Sequence, residues 1–273
     1  MKRIFFLLSL ILFSCNQNKR SSNQNAITVE SHSGIGDTVL SPAEAFAQSI
    51  QNAHNKEDWD KENVVSFKIN LKMGGAERLN AHIFSSTNSS KIRIDKKDGS
   101  SLYYDGSRVY QSPADAPIES ARFDMFTWQY FFAFPFKLRD EGTNWELLED
   151  DTINGITFNR ARLTFDNNIG DAPDDWYVVY KEPKSEMLYA AAYIVTLNEE
   201  KEKAEEKPHA IVYHNYELFN GIPFATRWTF HNWSLNNGIE DQIGEAIISD
   251  IQFITPKKKL FEIPDDAKKI ELN

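Results

Sequence analysis

From Asn63 onward the sequence settles into a period of two, and this repeat limits what the chain can become more than any other feature. In VVSFKINLK, Val65, Phe67, Ile69 and Leu71 alternate with Ser66, Lys68 and Asn70, the pattern of a strand with one covered face and one wet face. Comparable runs follow, among them RLNAHIFSS, KIRIDKK, ITFNRARLTF, DWYVVYK, AIVYHNYELF, PFATRWTFHNW and AIISDIQFI. Turn signals separate them: Lys97-Asp98-Gly99, Asp105-Gly106, Asn154-Gly155, Glu182-Pro183 and Asn220-Gly221. Tight turns between alternating strands make antiparallel neighbours, so the expectation is a mainly β chain of the α+β class, a meander of roughly ten to twelve strands. A twisted sheet of that size curls, and a curled sheet has a concave face that something must fill.

Residues 125 to 138, MFTWQYFFAFPFKL, offer the filling. Arg122 to Phe134 contains no turn residue, follows the loop SPADAPIES and runs into Pro135, which predicts a helix of about twelve residues ending there. Helical spacing sorts its rings into two stripes: Phe123, Phe126, Tyr130 and Phe134 in one, Met125, Trp128 and Phe132 in the other. One stripe is enough to dock a surface helix, so two imply cover on both sides. Either the helix is a core element wrapped by the sheet, or one stripe packs on the sheet while the other lines an apolar cavity. On the second reading Phe123, Phe126, Trp128, Tyr130, Phe131 and Phe134 are the ligand-lining candidates. An earlier helix is signalled by Ser41-Pro42-Ala43-Glu44, a capping box with proline at the first helical position. Its stripe is Phe46, Ile50, Ala53 and His54, and it is expected to fray near Lys56 to Asp58. EEKEKAEEK, residues 199 to 207, reads as a solvated loop.

The beginning of the chain has a different character. Lys2 and Arg3 precede an apolar run from Ile4 to Phe13 that is too short to span a bilayer, the pattern of a secretory signal over residues 1 to 14. Leu12-Phe13-Ser14-Cys15 resembles a bacterial lipobox, which implies cleavage before Cys15 and lipid, palmitate included, on the new N-terminus. Cys15 is the single cysteine of 273 residues, so no disulfide competes for it. Residues 15 to 40 then read as a lipid-anchored flexible tether, and residues 41 to 273 as one domain. Asn16-Gln17 lacks the aspartate that holds some lipoproteins in the inner membrane, which favours the outer membrane and its periplasmic face. The formal net charge is −10, which argues against nucleic acid as a partner.

Motifs for known chemistry are missing. No G-x-S-x-G, H-E-x-x-H, P-loop or C-x-x-C occurs, no catalytic residue or cofactor is assigned, and the chain reads as a non-enzyme. His209 and His214 stand five apart, which puts them on opposite faces of a strand rather than on one metal. DNNIGDAPDDW, through Asp166, Asn168 and Asp171, offers hard oxygens of the kind calcium takes. It lacks the EF-hand order, and a turn-rich loop accounts for the same residues.

The order of elements resembles the periplasmic lipoprotein carrier and receptor superfamily, the LolA/LolB-like fold. The resemblance rests on Asp105-Gly106 with Val109-Tyr110, on Asn220-Gly221-Ile222-Pro223, and on the closing stretch Phe261 to Ala267. It implies an unclosed antiparallel β-barrel of about eleven strands, with helices in the concave opening and a cavity for acyl chains or other apolar ligands. In the carriers an arginine inside the barrel helps govern lipoprotein binding; none of the strand arginines Arg93, Arg160 and Arg162 is matched to it. An anchored chain differs from a soluble shuttle, so the expected role is stationary: a membrane-anchored envelope lipoprotein that binds a lipid or apolar small molecule. The alternative is an envelope scaffold with a packed core and a protein partner, held by Trp59, Trp176 and Trp233 on its surface.

Overall fold

A computed structural model describes residues 39 to 270 other than 168, 171 and 198. The signal segment, Cys15 and most of the tether lie outside the described residues, as do Asn168 and Asp171. The capping box forms as expected: α1 (Pro42–Ala53) starts at Ser41, whose hydroxyl accepts from the Glu44 amide while the Glu44 carboxylate accepts from the Ser41 amide. Fraying does not follow. A short α2 (Lys56–Trp59) continues the chain because Trp59 is buried, its ring stacked on Phe136 at 4.2 Å.

The strands follow in chain order: β1 (Val64–Met73), β2 (Ala76–Ser86), β3 (Ile92–Lys96), β4 (Ser101–Tyr104) and β5 (Val109–Ser112), then α3 (Ala121–Lys137). Next come β6 (Thr143–Ile153), β7 (Ile156–Phe165), β8 (Tyr177–Lys181) and β9 (Leu188–Tyr193), and a turn of helix, α4 (Lys201–Ala204), inside the charged loop. The series closes with β10 (His209–Phe219), β11 (Ile222–Ser234), β12 (Gly238–Ile254) and β13 (Lys268–Ile270). All join one antiparallel 13-stranded sheet in the order β13-β5-β4-β3-β2-β1-β12-β11-β10-β9-β8-β7-β6. It is unclosed, since β13 and β6 each end the order. Its strand count exceeds eleven partly because β13, three residues within LFEIPDDAKKI, is too short to show a period. The Asn154-Gly155 and Asn220-Gly221 pairs take positive φ at both positions, the type I′ geometry that suits a two-residue hairpin.

The curl can be read from two ring contacts on α3. Phe126 meets Tyr104 of β4 at 5.2 Å, and one turn later Tyr130 meets Tyr177 of β8 at 5.8 Å. Seven strands separate β4 from β8 in the sheet order. Laid flat, that would put the two tyrosines about 38 Å apart, whereas one helical turn advances about 5.4 Å. The sheet therefore wraps the helix, and one apolar core joins α1, α2 and α3 to the inner faces of strands from β1 round to β12.

The aromatic helix is longer than its sequence predicts. It runs 17 residues, with Pro135 inside it rather than beyond it. The hydrogen bond that proline cannot make is replaced from β10, so the expected stop is not one. A smaller core on the outer face gathers Phe158, Val178, Tyr180, Val212, Trp176 and Trp233.

Candidate functional site

α3 is fixed at its start by a buried ionic cluster. The carboxylate of Asp124, with no solvent exposure, accepts from Arg78 of β2 and Lys96 of β3, each at 2.9 Å, and from the Trp128 indole N–H at 3.0 Å. Burial alone would raise its pKa, but Lys96, Trp128 and Arg78 outweigh it and hold the carboxyl below its usual range. Nothing in the local sequence singles out Asp124, because its two cations come from strands 28 and 46 residues upstream.

The second predicted stripe holds throughout, and the first holds for three of its four rings, Phe134 being fully buried. Met125, Trp128 and Phe132 are buried on the sheet side, where Phe132 lies sandwiched between Phe67 at 3.9 Å and Phe224 at 4.7 Å. Trp128 packs edge-on to Phe230. Phe123, Phe126 and Tyr130 are half-buried and face a cavity of about 660 Å³. Across it stand Ile92 and Tyr104 from one arm of the sheet and Phe165, Tyr177 and Tyr193 from the other, with Ile194, Val195, Leu197 and the loop at Ile169 completing the wall.

Of the six ligand-lining candidates, Phe123, Phe126, Tyr130 and Phe131 line this space and Trp128 and Phe134 do not. Trp128 belongs to the sheet-facing stripe. Phe134 is sealed between Tyr130 and Tyr177. The strand residues Phe165, Tyr177 and Tyr193 were missed, since which inner-face side chain meets the helix depends on the curl. Burial raises the pKa of the Tyr130 phenol, with the Asp140 and Asp175 carboxylates adding to the effect, and burial likewise raises those of Tyr177 and Tyr193.

A second, larger cavity of about 950 Å³ adjoins the first at Lys137 and Asp140. Lysines 56, 91, 257 and 258 line it together with Asp60 and Glu62. That mixture of charges suits water and counterions rather than hydrocarbon.

Other expectations are corrected or narrowed. Trp59, Trp176 and Trp233 are 3%, 5% and 5% exposed, so none is a surface anchor. The last two close the outer core, donating to Glu205 at 2.9 Å and to the Tyr180 hydroxyl at 2.8 Å. In the calcium candidate, Asp166 accepts from Asn144 at 2.7 Å, and nearby Asp175 accepts from the amide and hydroxyl of Thr196 at 2.8 Å. Both carboxylates fasten the loop, and no group of three potential metal ligands occurs among the described residues. His214 shares a hydrogen bond with Thr229 at 2.8 Å, and His209 packs against the Tyr193 ring.

Comparison with protein-family profiles returns no match, and no curated protein matches the chain. Solved structures do. A LolA superfamily protein from Nitrosomonas europaea superposes with a TM-score of 0.54 at 12% identity, over 82% of this chain and 99% of that one. A domain described as an outer membrane lipoprotein-sorting protein domain, from Vibrio parahaemolyticus, does so with a TM-score of 0.50 at 12% identity, over 81% and 96%. Together with the unclosed sheet wrapped round an aromatic helix, these likenesses show that the chain has a LolA-like fold.

Proposed function

We propose that this protein is a non-enzymatic lipoprotein of the bacterial cell envelope that binds a lipid or another apolar ligand between α3 and the curled sheet. The observation that carries the reading is a cavity of about 660 Å³ beside α3, open to solvent on one side, walled by Phe123, Phe126, Tyr130, Phe165, Tyr177 and Leu197 and edged by Arg122, Lys137, Asp140 and Glu141. Its size lies within the roughly 300 to 1,000 Å³ of small-molecule sites, which are concave and mostly apolar with a few polar groups. The names of the two structural neighbours, one of them an outer membrane lipoprotein-sorting domain, agree with an envelope setting. The lipobox-like Leu12 to Cys15 supports lipidation of Cys15 and anchoring at the outer membrane, with the domain on the periplasmic side.

Mass spectrometry of material extracted from the purified folded domain, with displacement of a fluorescent fatty acid, tests the binding. A domain that is recovered empty and takes up no probe would sink it. Anchoring is tested separately: Cys15→Ala should abolish metabolic labelling with palmitate and release the protein from the membrane fraction. Labelling that persists in that variant would refute the assignment of Cys15.

A further inference from the structure

We infer that the polar group this cavity recognises is an uncharged carbonyl, as in an ester, an amide or a quinone, seated against three phenol hydroxyls. This rests on the reading of the cavity as a ligand site and adds the chemistry by which it would tell one ligand from another. Tyr177 of β8 and Tyr193 of β9 stand opposite each other in the strand register, with ring centres 6.3 Å apart. Tyr130 reaches the same place from α3, its ring 5.8 Å from that of Tyr177. All three line the cavity.

Their hydroxyls differ from those of the next tyrosines along the sheet. Tyr213 donates to the Phe131 carbonyl at 3.0 Å, and Tyr216 donates to the Leu188 carbonyl at 2.6 Å. Tyr130, Tyr177 and Tyr193 donate to no protein group among the described residues, although Tyr177 and Tyr193 are only 7% and 8% exposed. Nor are these oxygens sealed in the core. The buried side-chain polar atoms without a partner among the described residues are His54 Nδ1, His82 Nε2 and Arg162 Nε, and no phenol oxygen is among them. What exposure the hydroxyls keep is therefore toward the space their rings line. Three O–H donors thus face a place where the protein offers no acceptor, and a donor so nearly buried gains most from one.

The surrounding charge selects the acceptor. Asp140 and Asp175 are the carboxylates that act on the Tyr130 phenol, and Asp175 acts on Tyr177 as well. Lys137, on the same wall, is already paired with Asp140 at 3.5 Å. An ionised carboxylate or phosphate seated here would lose its water and meet like charge. A carbonyl oxygen carries no charge and has two lone pairs for donors that arrive from different elements.

The test is displacement of N-phenyl-1-naphthylamine, an uncharged fluorescent probe, from the purified protein at pH 8. The competitors share one apolar body: tridecane, methyl laurate, N-methyl lauramide, laurate and dodecyl phosphate, with decylubiquinone as the quinone. The neutral carbonyl ligands should bind roughly tenfold tighter than tridecane and than either anion, and the tightest of them names the source of the carbonyl. With Tyr130→Phe, Tyr177→Phe and Tyr193→Phe combined, which keeps every ring, the ester-to-alkane affinity ratio should fall roughly tenfold. Infrared spectra of carbonyl-labelled methyl laurate should show the bound C=O stretch move toward its frequency in hydrocarbon solvent. The same ratio and stretch read in each single variant decide the matter if the triple variant does not fold. Laurate or dodecyl phosphate binding as tightly as the neutral ligands, or a ratio and a stretch unmoved in the variants, would overturn carbonyl recognition and leave the apolar site standing. Displacement by none of the series, tridecane included, would overturn both.

Discussion

The Tyr213 hydroxyl donates a buried hydrogen bond of 3.0 Å to the Phe131 carbonyl, the acceptor that Pro135, four residues on, cannot serve. A proline inside a helix leaves the i−4 carbonyl unpaired and costs about 3 kcal/mol or more. Here a strand side chain supplies the missing donor, and α3 continues for two residues past the proline.

Tyr213→Phe should therefore destabilise the domain by about 1–3 kcal/mol, the cost of a buried acceptor left without a partner. In the Pro135→Ala background, where a helical amide can serve the Phe131 carbonyl, the same substitution should cost clearly less. A double-mutant cycle by urea unfolding checks this. Strict additivity of the two substitutions would show that the hydroxyl and the proline are unrelated.

Trp128 and Phe126, less than a turn apart, separate the two duties of α3. Trp128 packs on Phe230 and donates to Asp124, so Trp128→Ala should cost about 3–5 kcal/mol in stability. The folded fraction should retain its affinity for a fluorescent fatty acid. Phe126→Ala, on the cavity side and half-buried, should cost less stability and weaken the same probe roughly tenfold. Equal losses of binding in the two variants would contradict this division of the helix.

How far the sequence foretells this site depends on whether the signal is local. The period of two and the capping box at Ser41 act over a few residues, and the strands and α1 stand where these signals place them. The two-sided aromatic helix is equally local, and with it the wall residues Phe123, Phe126, Tyr130 and Phe131. Its length is not, because the bond that carries it past Pro135 comes from residue 213. Asp124 is illegible for the same reason, since a lone acid on an aromatic helix gives no hint of Arg78 and Lys96. Trp59, Trp176 and Trp233 have the composition of interface anchors, and only the packing of α2 and the outer core shows them to be interior.

Gly142 holds the loop that borders the cavity. Its φ is +81°, and a β-carbon added there would lie 2.5 Å from Ile169 Cγ1, while its carbonyl accepts from the Asp166 amide at 2.9 Å. Gly142→Ala combines a left-handed backbone cost of about 1–2 kcal/mol with displacement of Ile169 from the cavity wall. Faster release of a bound fatty acid, measured by stopped-flow transfer to vesicles, is the expected result. Ile169→Ala added to that variant should recover part of the stability, because the collision is gone, but not the slow release. Unchanged release in Gly142→Ala would show that this loop does not control access.

Acid should weaken the fold before its carboxylates titrate. His54 is fully buried, its Nε2 accepting from the Leu188 amide at 3.1 Å, and burial pushes its pKa down to about 3. The unfolded chain takes up a proton at this residue near pH 6.5, while the folded chain does so only near pH 3. Between those values the unfolded state binds more protons, so stability rises with pH and is lost as pH falls, by up to about 1.4 kcal/mol per pH unit. Burial, largest among the causes in each case, lowers His82, His209 and His214 as well, with the same sign. The depressed carboxyl of Asp124 acts in a lower window, where its contribution is present above about pH 3.8 and lost below it. Chemical denaturation from pH 7 to 4.5 should thus show a steady fall in stability that flattens in His54→Gln. The variant should be less stable than the parent at pH 7, where the parent imidazole packs against Phe136 and Tyr216, and the gap between the two should narrow as pH falls. Parallel pH profiles for the two proteins would rule out His54 as the source.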